Sequence, residues 1–131
     1  MAGIVVLDTG VLIALLNSRD QHHSWAVDVF QRTLDHEWAM SALSYAELMV
    51  HPYRAGEANT AQDRIAGLNL TIHAVDADDA GQLASLRART GLKMPDAVVL
   101  NLALTTAAAV ATTDRALATA ARRESVEVLS P

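Results

Sequence analysis

A parallel β-sheet covered by helices on both faces, a three-layer α/β/α arrangement, is the fold class this sequence predicts. Three observations lead there. Short apolar or β-branched runs alternate with helical stretches along the 131 residues. Parallel strands need crossover connections, usually helices, so this alternation builds a parallel sheet of about five strands. The first run, Ile4-Val5-Val6-Leu7, is apolar without interruption, as a strand covered on both faces should be. Four acids also mark predicted element boundaries: Asp8 and Asp114 directly after strands, Glu47 and Asp96 in the opening turns of helices. Ligands of such sheets bind outside the carboxyl ends of the strands.

The elements follow in order. After the first strand comes a short helix, about Val11–Leu16. His22 to about Asp35 reads as a helix with Ala26, Val29, Phe30 and Thr33 on one face. Trp38–Ser41 is the second strand. Ser44 to about His51 is helical and is expected to stop at Pro52, because helix is disfavoured at the residue before proline. Glu57–Gly67 is an amphipathic helix and Thr71–Val75 the third strand. Asp76 is placed to cap a helix to Thr90, with Gly91 at its C′ position. Pro95 suits the first turn of the next helix, which runs to about Ala108. That helix is apolar nearly all round, so it is expected to be central and buried. Val110–Thr112 is the fourth strand, and Asp114–Arg123 a helix whose Arg122 and Arg123 complement its C-terminal dipole. Val126–Leu129 closes the sheet.

Composition bounds the rest. Residues 1–131 make one domain, and 51% apolar content is that of a globular chain. The absence of cysteine excludes disulfides and thiolate metal sites and suits a reducing compartment. The chain lacks a basic start, and Asp8 interrupts the first apolar run, so neither a signal peptide nor a membrane span is expected. A cytoplasmic protein is the resulting expectation. A formal net charge of -5 argues against a broad basic face for polyanions and in favour of local basic contacts.

Each acid has a structural explanation. Asp8 and Asp114 are placed to cap the helices after them. Ser44-Tyr45-Ala46-Glu47 matches a capping box, and Asp96 complements a helix N-terminus. Taken singly, caps are the simpler account. Independent caps have no reason to converge, however, whereas a metal site requires it. Converging carboxylates repel one another, and a cation stabilises their ionised form. Mg²⁺ or Mn²⁺ held by oxygen ligands activates water and neutralises charge developing on phosphate oxygens, which points to phosphodiester hydrolysis.

The motifs add specificity. Val5-Val6-Leu7-Asp8-Thr9-Gly10-Val11-Leu12-Ile13-Ala14-Leu15-Leu16 resembles the opening of PIN-domain ribonucleases. Ser44-Tyr45-Ala46-Glu47-Leu48, Met94-Pro95-Asp96-Ala97 and Ala111-Thr112-Thr113-Asp114 resemble their second, third and fourth acidic motifs. The likeness runs from residue 3 to about residue 129. His22-His23-Ser24-Trp25-Ala26 is similar to the second-helix start of the VapC toxins of this family, the toxic halves of type II toxin–antitoxin pairs.

The resemblance implies a PIN-like fold and an Mg²⁺-dependent endoribonuclease, with Mn²⁺ as substitute. Asp8 and Asp96 would be the principal metal ligands, with Glu47 and Asp114 completing the catalytic acids. Thr112 stands at the family's hydroxyl-bearing position, and Arg115 adjoins Asp114. It also implies RNA as substrate, a homodimer, and a heterocomplex with a small cognate antitoxin. Two departures stand out. Arg115-Ala116-Leu117 follows Asp114 where a further acid is frequent, favouring one-metal or substrate-completed chemistry. Gly10 replaces a frequent serine and removes a hydroxyl.

Two other functions compete: a non-catalytic interaction protein, supported by the missing acid, and a metal-dependent DNase or phosphatase. Arg19 and Lys93 lie near the motifs but read as solvated charges. His22 and His23 point in different helical directions and suit a helix start, and His51 suits a helix end. Asp78 and Asp79 favour a helix start. Trp25, Phe30, Trp38 and Tyr45 are dispersed and read as core or dimer contacts, not as a base-stacking platform.

Overall fold

The computed structural model describes residues 3–131, and among them β1 (Ile4–Leu7), β2 (Glu37–Ser41), β3 (Leu70–His73), β4 (Ala109–Ala111) and β5 (Val128–Leu129) form one sheet. All four pairings are parallel, in the order β3-β2-β1-β4-β5. The connecting helices are α1 (Thr9–Leu16), α2 (His23–Arg32), α3 (Ala42–Arg54), α4 (Ala58–Ala66), α5 (Ala80–Thr90), α6 (Met94–Thr106) and α7 (Arg115–Arg123). The expected α/β class with a central parallel sheet of five strands is what the chain adopts.

Strand periodicity divides the core in two, because successive side chains point to opposite faces. Val6, Ala39 and Val110 face a layer built from α5, α6 and α7, in which Leu86, Leu100 and Leu117 are buried. Val5, Leu7, Trp38, Met40 and Ala111 face the other layer, where Leu12, Val29, Phe30 and Leu48 come from α1, α2 and α3. Phe30 and Trp38 meet edge to face with ring centroids 3.9 Å apart, and the Trp38 indole N–H donates to Thr33 Oγ1. Those two aromatics are core, as expected; Trp25 and Tyr45 pack at its margin. The predicted buried face of α2 (Ala26, Val29, Phe30, Thr33) is buried throughout.

Local chemistry moves several boundaries. α1 begins two residues earlier than expected because Asp8 caps it, accepting from the Thr9 N–H. α3 begins at Ala42, since Ser41 is its cap and accepts from the Ser44 N–H at 3.0 Å. The expected capping box of Ser44 and Glu47 is therefore corrected: Ser44 lies inside the helix, and Glu47 is in its second turn, not its first. Pro52 does not end α3, which continues to Arg54. So near the C-terminus, proline removes a single intrahelical donor, and the closing bonds from Ala55 to His51 and from Glu57 to Pro52 still form. α2 ends at Arg32, three residues short of the expected limit. Asp76 does cap, but it caps a 3₁₀ turn, Ala77–Asp79, that leads into α5, and Asp79 closes a capping box with it. Gly91 ends α5 with φ of 71°, the left-handed conformation glycine supplies most readily.

β1 and β4 are the adjacent strands from which the chain departs in opposite directions. One branch leads through β2 to β3, the other to β5. Each of β1 to β4 leads on to a helix at the sheet's carboxyl edge, and α6 must begin there to deliver the chain to the start of β4. Helix starts therefore gather at one edge. α6 packs against β1, β2 and β4, so its burial supports the whole sheet. Leu100→Ala, at a side chain with 0% exposure, should cost about 2–5 kcal/mol in denaturant unfolding. Leu104→Ala, 37% exposed on the same helix, should stay within about 1 kcal/mol.

Candidate active site

The register of β1 on β4 places Leu7 opposite Ala111, so the next residues, Asp8 and Thr112, leave the sheet side by side. The Asp8 N–H continues the ladder by donating to Ala111 O at 3.0 Å, and Thr112 N–H donates to Leu129 O on β5. Thr112 is fully buried. Its hydroxyl donates to Asp8 Oδ2 at 2.8 Å and accepts from the Asp114 N–H at 2.9 Å. With its lone pair engaged by Asp114, the hydroxyl directs its proton at Asp8. The other Asp8 oxygen accepts from the Thr9 N–H at 2.8 Å. Each carboxylate oxygen still has a lone pair to offer.

Asp114 caps α7, its Oδ1 accepting from the Leu117 N–H at 2.8 Å. The capping and clustering explanations are thus not alternatives. Asp8 and Asp114 serve as caps, and the strands they follow bring them together. Asp96 lies in the first turn of α6, half-buried, with no hydrogen-bond partner among the described residues. It feels the negative charges of Asp114, Asp8 and Glu47, in decreasing order of effect. Glu47 is exposed on α3 and is the most remote of the four in this sense. Thr9 Oγ1 donates to Ser44 O at 3.1 Å, tying the start of α1 to the first turn of α3 and holding the Asp8 and Glu47 segments together. Sequence inspection passed over that threonine; its signal was a hydroxyl directly after Asp8.

The electrostatics are those of crowded acids. Burial pushes the Asp8 carboxyl above its ordinary value, hydrogen bonds from Thr112 and Thr9 oppose this, and the Asp114 charge adds to it. Burial and then the charges of Asp114 and Asp8 push Asp96 up to about 6, with Lys93 acting in the opposite sense. Among the described residues, no three His, Cys, Asp or Glu side chains are gathered so as to hold a metal ion between them. The donors the site offers are carboxylate oxygens. Mg²⁺ and Mn²⁺ suit it: Mg²⁺ in particular is bound through one or two carboxylates, with water and substrate phosphate supplying the rest.

Gly10, the second residue of α1, lies against the fourth motif. A Cβ placed there would meet Thr113 Oγ1 at 2.8 Å, so the glycine makes room for the Thr113 hydroxyl. The hydroxyl lost at position 10 is matched by one on the neighbouring loop. Arg115 is exposed beside Asp114, and both open, with Asp96 and Lys93, onto one cleft.

The family model of the PIN domain matches residues 5–123. No curated protein sequence matches the chain. Similar solved structures include a toxin–antitoxin complex from Klebsiella pneumoniae, with 23% identity over 84% of this chain and 86% of that one and a TM-score of 0.69. VapBC2 from Rickettsia felis, bound to a DNA fragment from their promoter, shares 15% identity over 98% of both chains, with a TM-score of 0.68. FitAcB from Neisseria gonorrhoeae shares 22% identity over 95% of this chain and 96% of that one, with a TM-score of 0.71. At these identities the likeness is one of fold.

Two outcomes follow from the geometry. The folded-state pKa of Asp96 lies above its unfolded value of 3.8, so protonation favours the folded state. Its contribution to stability therefore improves as pH falls through about 6 and is lost as pH rises. Without divalent ions, Asp96→Asn should melt higher than wild type above pH 6, and the gap should close towards pH 4. A constant gap would contradict this. Separately, Gly10→Ala and Thr113→Ala should be coupled by about 1 kcal/mol in a double-mutant cycle, the alanine at position 10 being better tolerated once Thr113 is truncated.

Proposed function

Because the chain belongs to the PIN-domain family, we propose that it is an Mg²⁺-dependent endoribonuclease of the VapC toxin type, hydrolysing phosphodiester bonds in a restricted set of RNAs. The observation that carries this reading is the chain of hydrogen bonds from Asp114 through Thr112 to Asp8, at the strand-order switch and facing Asp96. PIN domains are generally nucleases, which narrows the chemistry such an acidic edge performs.

Asp8 and Asp96 would hold the ion, with Glu47 and Asp114 acting directly or through water. When bound, the ion would supply Lewis acidity for activating water and for neutralising charge on the phosphate oxygens. The residues themselves do the positioning. Thr112 and the Thr9 amide fix the rotamer of Asp8, and each of its oxygens keeps a lone pair to offer. Asp114 is fixed by its bond to α7, so both carboxylates are held by backbone that chemistry need not reorganise. Asp96, whose carboxyl burial and neighbouring negative charge push up to about 6, is an acid whose ionised form a bound cation would favour. With no further acid after Asp114, the ion's remaining ligands would be water and substrate oxygens.

A small cognate antitoxin and a second copy of this chain are the proposed protein partners, in a cytoplasmic setting. The toxin–antitoxin complex from Klebsiella pneumoniae, similar in fold, supports the first. Exposed Leu43, Val50 and Tyr53 on α3 leave apolar surface for such contacts. Among the described residues no helix is long and apolar enough to cross a membrane.

The test is cleavage by the purified protein of RNA, single- and double-stranded DNA and a small phosphoester, with Mg²⁺ and with EDTA. RNA should be cut only with the ion. Asp8→Asn and Asp96→Asn should each lower the rate by about 100-fold or more, and Thr112→Val by about 10–100-fold, with the fold intact. Full activity in either folded asparagine variant would sink the assignment. Preference for DNA or the small ester would replace the substrate. Absence of all cleavage would favour a binding module.

A further inference from the structure

The chain carries a formal net charge of -5, yet its cations are not evenly spread. A cleft of about 690 Å³ opens beside Asp96 and Asp114, and four of the ten lysines and arginines line it: Arg89, Lys93, Arg115 and Arg123. Arg89 is neutralised, its guanidinium bonded to Glu124 at 2.6 Å across the same cleft. Lys93, Arg115 and Arg123 have neither an ion pair nor a side-chain hydrogen bond among the described residues, so none of the three is held in a specific pair, and the Lys93 charge bears on Asp96 beside it.

Their arrangement is directional. Asp114 caps α7, and Arg115, Thr119 and Arg123 follow at four-residue spacing, which puts them on one face of the helix. From Arg115 to Arg123 the helix rises about 12 Å. Along a stacked strand that is about three to four nucleotides at 3.4 Å each. Lys93 sits on the other wall, immediately before α6 and three residues from Asp96. The row therefore begins at the acids and leads away from them. No aromatic side chain lines the cleft, which argues for grip on the backbone and not on bases.

We propose that this cleft is the track for the RNA strand on one side of the scissile phosphate, with Lys93 and Arg115 pairing to backbone phosphates near the acids and Arg123 to one about three to four nucleotides further along. The inference rests on the nuclease reading and adds to it which flank of the acids the substrate occupies. Binding along the track is led by phosphate, tolerant of sequence and sensitive to salt; choice among RNAs arises elsewhere. It also accounts for the acidic net charge, since three local cations suffice where a broad basic face is absent.

The experiment measures anisotropy of fluorescein-labelled polyuridylate across a potassium chloride series at fixed Mg²⁺. It uses full-length Asp8→Asn protein, which should consume the probe at least about 100-fold more slowly and leaves the cleft lining unaltered. Lys93→Gln and Arg123→Gln should each weaken binding several-fold and reduce the slope of log affinity against log salt by about 0.7. Charge reversal by Arg123→Glu should weaken it further. Arg32→Gln, at an exposed cation paired with Asp28 outside the cleft, should leave both unchanged. Unaltered slopes for the Lys93 and Arg123 variants, or an equal loss at Arg32, would overturn the track. Absence of RNA binding by the parent would overturn it as well. Cleavage of RNA by the otherwise wild-type enzyme, measured in parallel, decides whether the nuclease reading falls too.

Discussion

The hydrogen bond from Thr112 to Asp8 is the constraint on which the site depends, and it is a consequence of strand register. Leu7 lies opposite Ala111, so the first residues beyond each strand are brought together where the strand order reverses. A shift of one residue would turn the alternating faces of β1 inside out, moving Val6 away from α6. The hydrophobic pairing that secures the core thus also secures the pairing of hydroxyl and carboxylate. Asp114 joins the same network through its backbone, whatever the state of its side chain.

The acids are held in place at electrostatic cost. Desolvation of Asp8 and Asp96 and the mutual repulsion of the cluster both oppose ionisation. The compensation within the fold is partial: two hydrogen bonds on Asp8, the Lys93 charge near Asp96, and a helix N-terminus beneath each of Asp8, Asp96 and Asp114. Packing in two large apolar clusters supplies the stability against which this strain is set. In the proposed metal-dependent enzyme, a bound cation would relieve a repulsion already present in the folded chain.

The distribution of cations and acids gives the molecule a polarity that its net charge conceals. Acids gather at the carboxyl edge, and cations held in no specific pair line the cleft along α7 next to them. Arg89 and Glu124 remove one another from that field. Gly10 and Thr113 are a smaller instance of the same principle: side chains distant in sequence share one volume, and the absence of a Cβ at one permits the hydroxyl at the other.

Several features were legible in the chain itself. The unbroken apolar run at Ile4–Leu7 specifies a strand covered on both faces, and the nearly all-apolar helix around Leu100 specifies a buried one, because no other placement removes those side chains from water. Acids directly after strands and at helix starts could be expected to converge, since a parallel sheet collects those positions at one edge. Local pattern misjudged what neighbours decide. Ser41 displaced Ser44 as the cap of α3, Pro52 was tolerated near that helix's end, and Glu47 moved into the second turn. The Thr112–Asp8 bond, the Thr9–Ser44 tie, the raised pKa of Asp96 and the gathering of Lys93, Arg115 and Arg123 in one cleft belong to the tertiary structure alone. Each joins residues far apart in the chain, and distance, desolvation and charge interaction exist only once the strands have paired.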